Sequence, residues 1–149
     1  MQANLGDNFY LSEYLPKSIP GPIREFDFAY AFSVFTHLSE RATLTSLAAI
    51  RSATRAGGLA CITIRPIDYW DGPFSAAPEP QRMTAKQKHL DTGFAFFPHN
   101  LPPVDGEVTY GDTSMSMAWL SKHATGWEIA GIDRSLDDAY QIYVFMKAA

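Results

Sequence analysis

His37 is the side chain in this sequence with the clearest potential for chemistry. It follows the apolar run Phe26 to Val34 in the segment FTHLSE. An imidazole titrates near neutral pH, so His37 could accept a proton from a reacting group placed beside it. The alternative is a structural histidine that orients its loop by bonding a backbone carbonyl. The sequence leaves both interpretations open.

Other reactive side chains lack partners at useful spacing. His89, His99 and His123 are not close in sequence to one another, to carboxylates or to the single cysteine in a pattern typical of metal ligands. No metal site is therefore predicted, and surface or capping roles are expected for these histidines. Cys61 lies in an apolar run and is expected to be a buried thiol. Ser33 lacks the G-x-S-x-G context of a hydrolase nucleophile.

One stretch, Phe26 to Pro66, is expected to position these residues. Its first run alternates aromatic side chains with alanines, which is typical of a parallel strand covered on both faces. Ser39 is a candidate N-cap for a following helix. Gly57 and Gly58 are predicted to end that helix before a strand from Leu59 to Ile64. Strand, helix and strand in this order form a right-handed βαβ unit, so the predicted fold class is α/β.

The rest of the chain predicts further elements around this unit. Asn8 to Tyr14 is expected to form a short strand. Ile67 to Asp112 is expected to be irregular around a helix at Thr84 to Leu90 and a strand at Gly93 to Phe97. Ser114 to His123 predicts another helix. The last β-rich runs are predicted to pair as an antiparallel hairpin, and they are Trp127 to Ile132 and Tyr140 to Met146.

Composition restricts the partners of the chain. Its 149 residues are 46% hydrophobic, which supports one domain with a core. The net charge of −4 argues against a nucleic-acid backbone as a partner. No run is long and apolar enough for a membrane helix, and polar residues follow Met1, so neither a membrane partner nor a signal peptide is expected. With a single cysteine, a cytoplasmic location is the expectation.

The segments FDFAYAFSVFTHLSE and RSATRAGGLACITIRP, in this order and spacing, resemble the second half of the class I S-adenosylmethionine-dependent methyltransferases. In that family the fourth strand reads like FDlVyafSVfeHL, and the next helix ends in a PGG-like turn before the fifth strand. Ala56 stands where the family usually has proline. The resemblance extends over nearly the whole chain. It implies a partial Rossmann-like methyltransferase sheet, with strands 3 to 7 of the order 3-2-1-4-5-7-6 and a closing antiparallel hairpin.

The same resemblance implies S-adenosyl-L-methionine as the cofactor and a set of residues around it. Glu13 and Tyr14 would lie beside the adenine. The backbone of Ala31, Phe32 and Ser33 would follow the methionine moiety. Ligands of open α/β sheets lie at the carboxyl ends of the strands, where these residues are expected. The alternative for Glu13 is a solvated loop acid.

The implied methyl acceptor is a small molecule or a saccharide-like compound. Asp68, Tyr69 and Trp70 follow the predicted second strand and would line the acceptor pocket. Aromatic residues at this density are also typical of ordinary packing. His37 would stand where the methyl group and the acceptor meet, as a candidate general base.

The glycine-rich cofactor turn of the family is missing from the sequence. No D-x-G-x-G cluster occurs before Phe26, and Gly6 stands alone. The sequence is therefore expected to begin inside the domain and to bind the cofactor poorly by itself.

Phe26 to Val34 would then form an exposed apolar sheet edge that another chain could complete. The alternative function is accordingly a non-catalytic fragment or an interaction subunit, with a missing amino-terminal half or a second copy as its partner. A nicotinamide-binding Rossmann domain is a weaker alternative, because its glycine fingerprint is absent as well.

Overall fold

The computed structural model describes residues 9–22, 24–134 and 140–149. The strands in these ranges are β1 (Phe26–Ala31), β2 (Thr54–Ile64), β3 (Phe94–Pro98), β4 (Gly111–Met115), β5 (Trp127–Arg134) and β6 (Ile142–Ala148). The helices are α1 (Glu40–Ala53), α2 (Glu79–Thr92) and α3 (Met117–His123), with a 3₁₀ turn at Ile67–Asp71. None of these helices is long and apolar enough to cross a membrane.

The main sheet has the order β1-β2-β6-β5. β1 and β2 are parallel, and β6 runs antiparallel to both β2 and β5. The α/β class, the βαβ unit and the antiparallel pairing of the last two strands are therefore confirmed. β3 and β4 form a separate antiparallel pair.

The main core lies on one face of this sheet. Leu47 of α1 and Leu120 of α3 belong to the same buried cluster as Ile62 of β2 and Val144 of β6. Ala29 packs against this cluster from β1. The small apolar residues of β1 thus face the helices, which leaves its aromatic residues on the opposite face of the sheet.

β1 lies at the end of the sheet order, as the edge prediction required. No strand pairs with its outer side within the ranges that the structure describes. Phe28 and Tyr30 are 52% and 58% exposed. The prediction of a strand covered on both faces is therefore wrong for the described part of the chain.

Helix α1 begins where predicted but ends earlier. The Ser39 hydroxyl accepts a hydrogen bond from the backbone N–H of Ala42 at 3.3 Å, which confirms the N-cap. α1 ends at Ala53, so the prediction that glycines 57 and 58 stop it is wrong. The chain is already extended at Thr54, a β-branched residue that favours strand geometry.

The two glycines instead belong to an irregular section at the start of β2. Phe26 pairs with Thr54 and Phe28 with Leu59, so residues 55–58 are skipped in the register with β1, although the Arg55 side chain forms an ion pair with Asp27 of β1. Gly57 has a φ of +75°, which glycine adopts without a Cβ clash.

Two other predicted elements also differ from the structure: one strand does not form, and one helix begins later. Of the strand predicted for Asn8 to Tyr14, residues 9–14 form no strand and are exposed, and Asn8 lies outside the described residues. The predicted helix at Ser114 begins later, because Ser116 is its N-cap and accepts a bond from the N–H of Trp119 at 3.1 Å. Ser114 and Met115 lie in β4, a buried strand that the sequence did not indicate.

Candidate functional site

A polar cluster lies where the carboxyl ends of β1 and β2 meet β4. His37 follows β1, Arg65 directly follows β2, and Asp112 lies in β4. Backbone bonds fix this junction: Gly111 N–H donates to the His37 carbonyl at 2.8 Å, and Met115 N–H donates to the Arg65 carbonyl at 3.1 Å. β4 thereby joins the two loops that follow the parallel strands.

Asp112 is the buried carboxylate of the cluster, with 2% of its surface exposed. Its Oδ2 accepts bonds from Ala76 N–H at 2.7 Å and Ser75 Oγ at 3.1 Å, and its Oδ1 accepts from Arg65 at 3.2 Å. Burial alone would raise the pKa of Asp112, but the Ala76 N–H, the neighbouring Tyr69 hydroxyl, the charge of Arg65 and the Ser75 hydroxyl together outweigh burial and hold the pKa below its ordinary value. Asp112 is therefore ionised at neutral pH.

Arg65 connects Asp112 to the loop after β1. One guanidinium nitrogen donates to the Thr36 carbonyl at 2.8 Å as well as to Asp112, and the other lies 3.1 Å from His37 Nε2. The guanidinium carbon lies 4.2 Å from the centre of the Tyr69 ring, in cation–π geometry. Arg65 is thus held in one orientation from several sides.

Both ring nitrogens of His37 are engaged. Nδ1 lies 2.8 Å from the Gly111 carbonyl oxygen, which can only accept, so Nδ1 carries the proton and Nε2 accepts from Arg65. Burial is the main cause that lowers the pKa of His37, and the charge of Arg65 lowers it further, against the opposing effect of the Gly111 bond. His37 is therefore neutral at pH 7. The carbonyl bond of the structural interpretation is present, and the general-base role stays a prediction.

His99 and His89, for which surface or capping roles were expected, both make polar contacts inside the protein. His99 Nε2 is buried and lies 3.5 Å from Asp112 Oδ1. Tyr110 stacks on His37, with ring centres 5.0 Å apart, and meets the His99 ring edge-on at 5.5 Å. His89 is buried, and its Nδ1 lies 2.7 Å from Ser114 Oγ. The surface role is therefore wrong for His89, whereas 27% of the His99 side chain is exposed. Capping by these histidines stays a prediction.

The residues expected along the methionine moiety lie at the end of β1. Ala31 is its last residue and packs against the core. Phe32 is 46% exposed and stacks on Tyr143 at 6.0 Å between ring centres. Ser33 has a φ of +55°, which is uncommon for a residue with a Cβ, and its N–H donates to Thr63 Oγ1 at 2.7 Å. This strained turn ties the end of β1 to β2.

Glu13 and Tyr14 lie elsewhere. They line an open groove of about 820 Å³ against the outer side of α1, together with Arg41 and Asp105, which form an ion pair. The residues 31–33 do not line this groove. The structure therefore does not place the two sets of predicted cofactor residues in one cavity.

The three residues predicted to contact the acceptor belong to the 3₁₀ turn after β2. Asp68 is exposed, whereas Tyr69 and Trp70 are buried in a small second core. Tyr69 donates its hydroxyl to the Phe74 carbonyl at 3.2 Å, and Trp70 donates its indole N–H to Ser114 Oγ at 2.6 Å. Their polar atoms are satisfied within the protein. Acceptor binding by these residues stays a prediction.

Sequence reasoning missed Arg65, His99 and Asp112 as members of one cluster. Arg65 carried a signal, because it is the first charged residue after a nearly uncharged strand at a carboxyl end. Asp112 carried none, because GDTSM is polar and does not read as a buried strand. In the described ranges, no group of three or more acidic, histidine or cysteine side chains is arranged to hold a metal ion.

Solved structures of similar fold include S-adenosylmethionine-dependent methyltransferases. One from Methanosarcina mazei matches with a TM-score of 0.56 at 11% identity, over 89% of this chain and 63% of that one. The glycopeptide N-methyltransferase MtfA, complexed with S-adenosyl-L-methionine, matches with a TM-score of 0.53 at 9% identity, over 89% and 57%. The pyocyanin biosynthetic protein PhzM matches with a TM-score of 0.51 at 17% identity, over 93% and 34%.

These similarities establish the fold: the chain has the α/β fold of S-adenosylmethionine-dependent methyltransferases. It spans 34% to 63% of the length of the three structures. No family model matches the sequence. No curated protein matches it either.

Proposed function

We propose that this chain is the carboxyl-terminal part of a methyltransferase domain that transfers a methyl group from S-adenosyl-L-methionine to a small-molecule or saccharide-like acceptor. The observation that carries the proposal is the methyltransferase fold with a buried polar cluster at the carboxyl ends of its parallel strands. In this assignment β1, β2, β5 and β6 correspond to strands 4, 5, 6 and 7 of the family's sheet. The observed order β1-β2-β6-β5 supports the assignment, because it would correspond to the 4-5-7-6 portion of that sheet.

The described residues fit one part of this cofactor. S-adenosyl-L-methionine supplies an electrophilic methyl group on a sulfonium when it is bound. Phe32 offers an exposed ring at the end of β1, and an aromatic ring attracts a cation. Ala31 and Ser33 would bring backbone polar groups alongside the methionine moiety. Glu13 and Tyr14 would have to leave their groove along α1 to reach the adenine.

Calorimetry and NMR together test this function with S-adenosylhomocysteine as the probe. Because the glycine-rich turn is missing from the sequence, we expect a Kd weaker than about 0.1 mM for the chain alone. Millimolar ligand should shift the amide signals of residues 31–33 and 37 rather than those of Leu90 and Lys122, which line a separate groove between α2 and α3. Absence of any shift at the carboxyl ends of β1 and β2 would refute the cofactor site.

A pair of variants sharpens the same measurement. Phe32→Ala should reduce the response to S-adenosylhomocysteine, because it removes the ring at the end of β1. Met83→Ala is the matched control, since Met83 is 58% exposed on α2 and lies outside the cluster. An equal response of the two variants would contradict a role for Phe32.

The exposed edge and aromatic face of β1 favour a second candidate, an interaction subunit without catalysis. Another chain could add a strand to β1 and cover Phe28 and Tyr30. The partner would be an amino-terminal half that carries the glycine-rich turn or a second copy of this chain. Sedimentation separates the two, because only self-pairing gives a concentration-dependent dimer of the purified chain.

A further inference from the structure

His99 faces the buried carboxylate of the cluster with one ring nitrogen. Its Nε2 is buried, makes no hydrogen bond with any residue that the structure describes and lies 3.5 Å from Asp112 Oδ1. An ionised carboxylate favours a donor at that distance, so Nε2 should carry the proton of the neutral ring. The lone pair then resides on Nδ1. In active sites without bound substrate, catalytic hydrogen bonds are commonly somewhat longer than ideal.

The surroundings of Nδ1 distinguish His99 from His37. In His37, Nδ1–H donates to the Gly111 carbonyl and the Nε2 lone pair accepts from Arg65. Neither nitrogen can therefore take a new proton without breaking a hydrogen bond. Among the described residues, the polar contacts of His99 involve its Nε2 and its backbone, whose N–H donates to the Tyr110 carbonyl at 3.1 Å and whose carbonyl accepts from Leu101 N–H at 2.8 Å. The side chain of His99 is 27% exposed. A ring nitrogen that can accept a proton is thus present at His99.

We propose that His99, oriented by Asp112, is the group that accepts the acceptor's proton in the methyl transfer proposed above. His37 is then a positioning residue that holds Arg65 against Asp112. The inference rests on the proposed function, and it names a different general base from the one that the sequence suggests. In the described part of the chain, the titratable or charged groups that face His99 and its carboxylate are Asp112, Arg65, His37, Tyr110 and Tyr69.

The step balances without any further reactant. A hydroxyl or amine of the acceptor forms its bond to the methyl carbon while the carbon–sulfur bond breaks and sulfur keeps the electron pair. The acceptor's proton passes to His99 Nδ1, and the resulting imidazolium is compensated by the negative charge of Asp112. A base is needed only for an acceptor that carries its proton at neutral pH. The inferred acceptor class is therefore a hydroxyl or amine compound, rather than a carboxylate.

The tautomers of the two histidines provide the first test. Nitrogen-15 NMR of the complete chain at pH 7.5, with His99→Gln and His37→Gln used only for assignment, reports which nitrogen carries the proton. We expect Nε2–H at His99 and Nδ1–H at His37. Nδ1–H at His99 would overturn the proposal, because no lone pair would then face the acceptor.

Chemical modification provides the second test, with diethyl pyrocarbonate as the probe. The reagent attacks an unprotonated, accessible imidazole nitrogen. Mass spectrometry should show His99 reacting at least about tenfold faster than His37, because His37 must first break a hydrogen bond to a charged group. His123 serves as the reference histidine outside the cluster. Equal or faster modification of His37 would overturn the assignment.

Asp112→Asn tests the orienting role of the carboxylate. The remaining oxygen should stay with Ala76 and Ser75, so the amide NH₂ would face His99 and convert it to the Nδ1–H tautomer. Asp91→Asn on α2 is the matched control and should leave His99 unchanged. An unchanged tautomer in folded Asp112→Asn would refute orientation by Asp112. If that variant does not fold, the tautomers and modification rates of the wild-type histidines still test whether His99 is the base.

These readouts need neither the cofactor nor methyl transfer. A chain with the expected tautomers but no response to S-adenosylhomocysteine would contradict the proposed function alone. A chain that binds S-adenosylhomocysteine at the carboxyl ends but fails the histidine tests would contradict only the role of His99.

Discussion

At the scale of single residues, Asp112 has the most consequences. It is a buried charge whose partners come from three segments: Arg65 after β2, Ser75 and Ala76 in the following loop, and His99 after β3. A buried carboxylate is tolerated only with such partners, because desolvation would otherwise favour its neutral form. The same residue thus holds the junction together and sets the charge of the site.

The stability of the chain should therefore depend on pH through Asp112. A carboxyl with a lowered folded-state pKa stabilises the fold above its ordinary pKa, and this contribution is lost as the pH falls through the folded value. We expect Asp112→Asn to lower the free energy of unfolding by about 3 kcal/mol at pH 7, because it leaves Arg65 without its counter-ion. The loss should shrink at pH 3.5. Urea unfolding at both pH values measures it.

Asp71→Asn is the control for this experiment. Asp71 pairs with Lys86 at 2.6 Å, but its side chain is 52% exposed, so its loss should cost less than about 1 kcal/mol. Equal effects of the two substitutions at pH 7 would contradict the special role of the buried carboxylate.

His37 should contribute a second pH dependence in a higher range. Its folded-state pKa is lowered, mainly by burial, so the unfolded chain binds the proton more readily. The contribution is complete above the ordinary histidine pKa and is lost as the pH falls through the lowered value. The free energy of unfolding should therefore fall less steeply from pH 7 to pH 5 in His37→Gln than in the wild type. Parallel slopes would contradict this.

At the scale of elements, the strands and helix caps that depend on local side-chain patterns could be predicted from the sequence. The strand that begins at Phe26, the cap at Ser39 and the antiparallel last strands each follow from side-chain patterns, and the structure confirms them, although the first strand ends at Ala31 rather than Val34. β4 was missed because its polar residues are buried by distant partners: Thr113 Oγ1 donates to the Leu38 carbonyl at 2.6 Å. No local pattern reports such contacts. The site escaped prediction for the same reason.

The two glycines predicted to end α1 lie instead at the start of β2, where Gly58 packs closely against Thr54 and β1. A Cβ on Gly58 would lie 2.7 Å from Thr54 Cγ2 and 3.1 Å from the Phe26 carbonyl oxygen. Gly58→Ala should therefore lower the free energy of unfolding by about 2 kcal/mol through overpacking. Gly131→Ala in β5 is the matched control, because its Cβ would meet nothing within 4 Å. Thermal unfolding of both variants tests this, and equal midpoints would contradict the close approach.

At the scale of the whole molecule, the sheet has one covered face and one aromatic face. Phe28 pairs with Leu59, which is 39% exposed, so the apolar surface of β1 continues onto β2 there, whereas Cys61 beside Tyr30 is buried. α1 and α3 pack on the other side. Contiguous exposed apolar surface of this kind favours association and dye binding.

Tyr30→Lys should reduce both self-association and dye binding without lowering the stability of the fold. Tyr30 is 58% exposed, so a charged side chain there remains in water and we expect a change in unfolding free energy within about 0.5 kcal/mol. Fluorescence of bound anilinonaphthalene sulfonate and the sedimentation coefficient at rising concentration measure the exposed surface and its self-association. Tyr14→Lys is the control, since Tyr14 is 71% exposed but lies away from the sheet. If the two variants give the same dye fluorescence and the same sedimentation coefficients, the aromatic face of β1 is not the surface through which this chain self-associates.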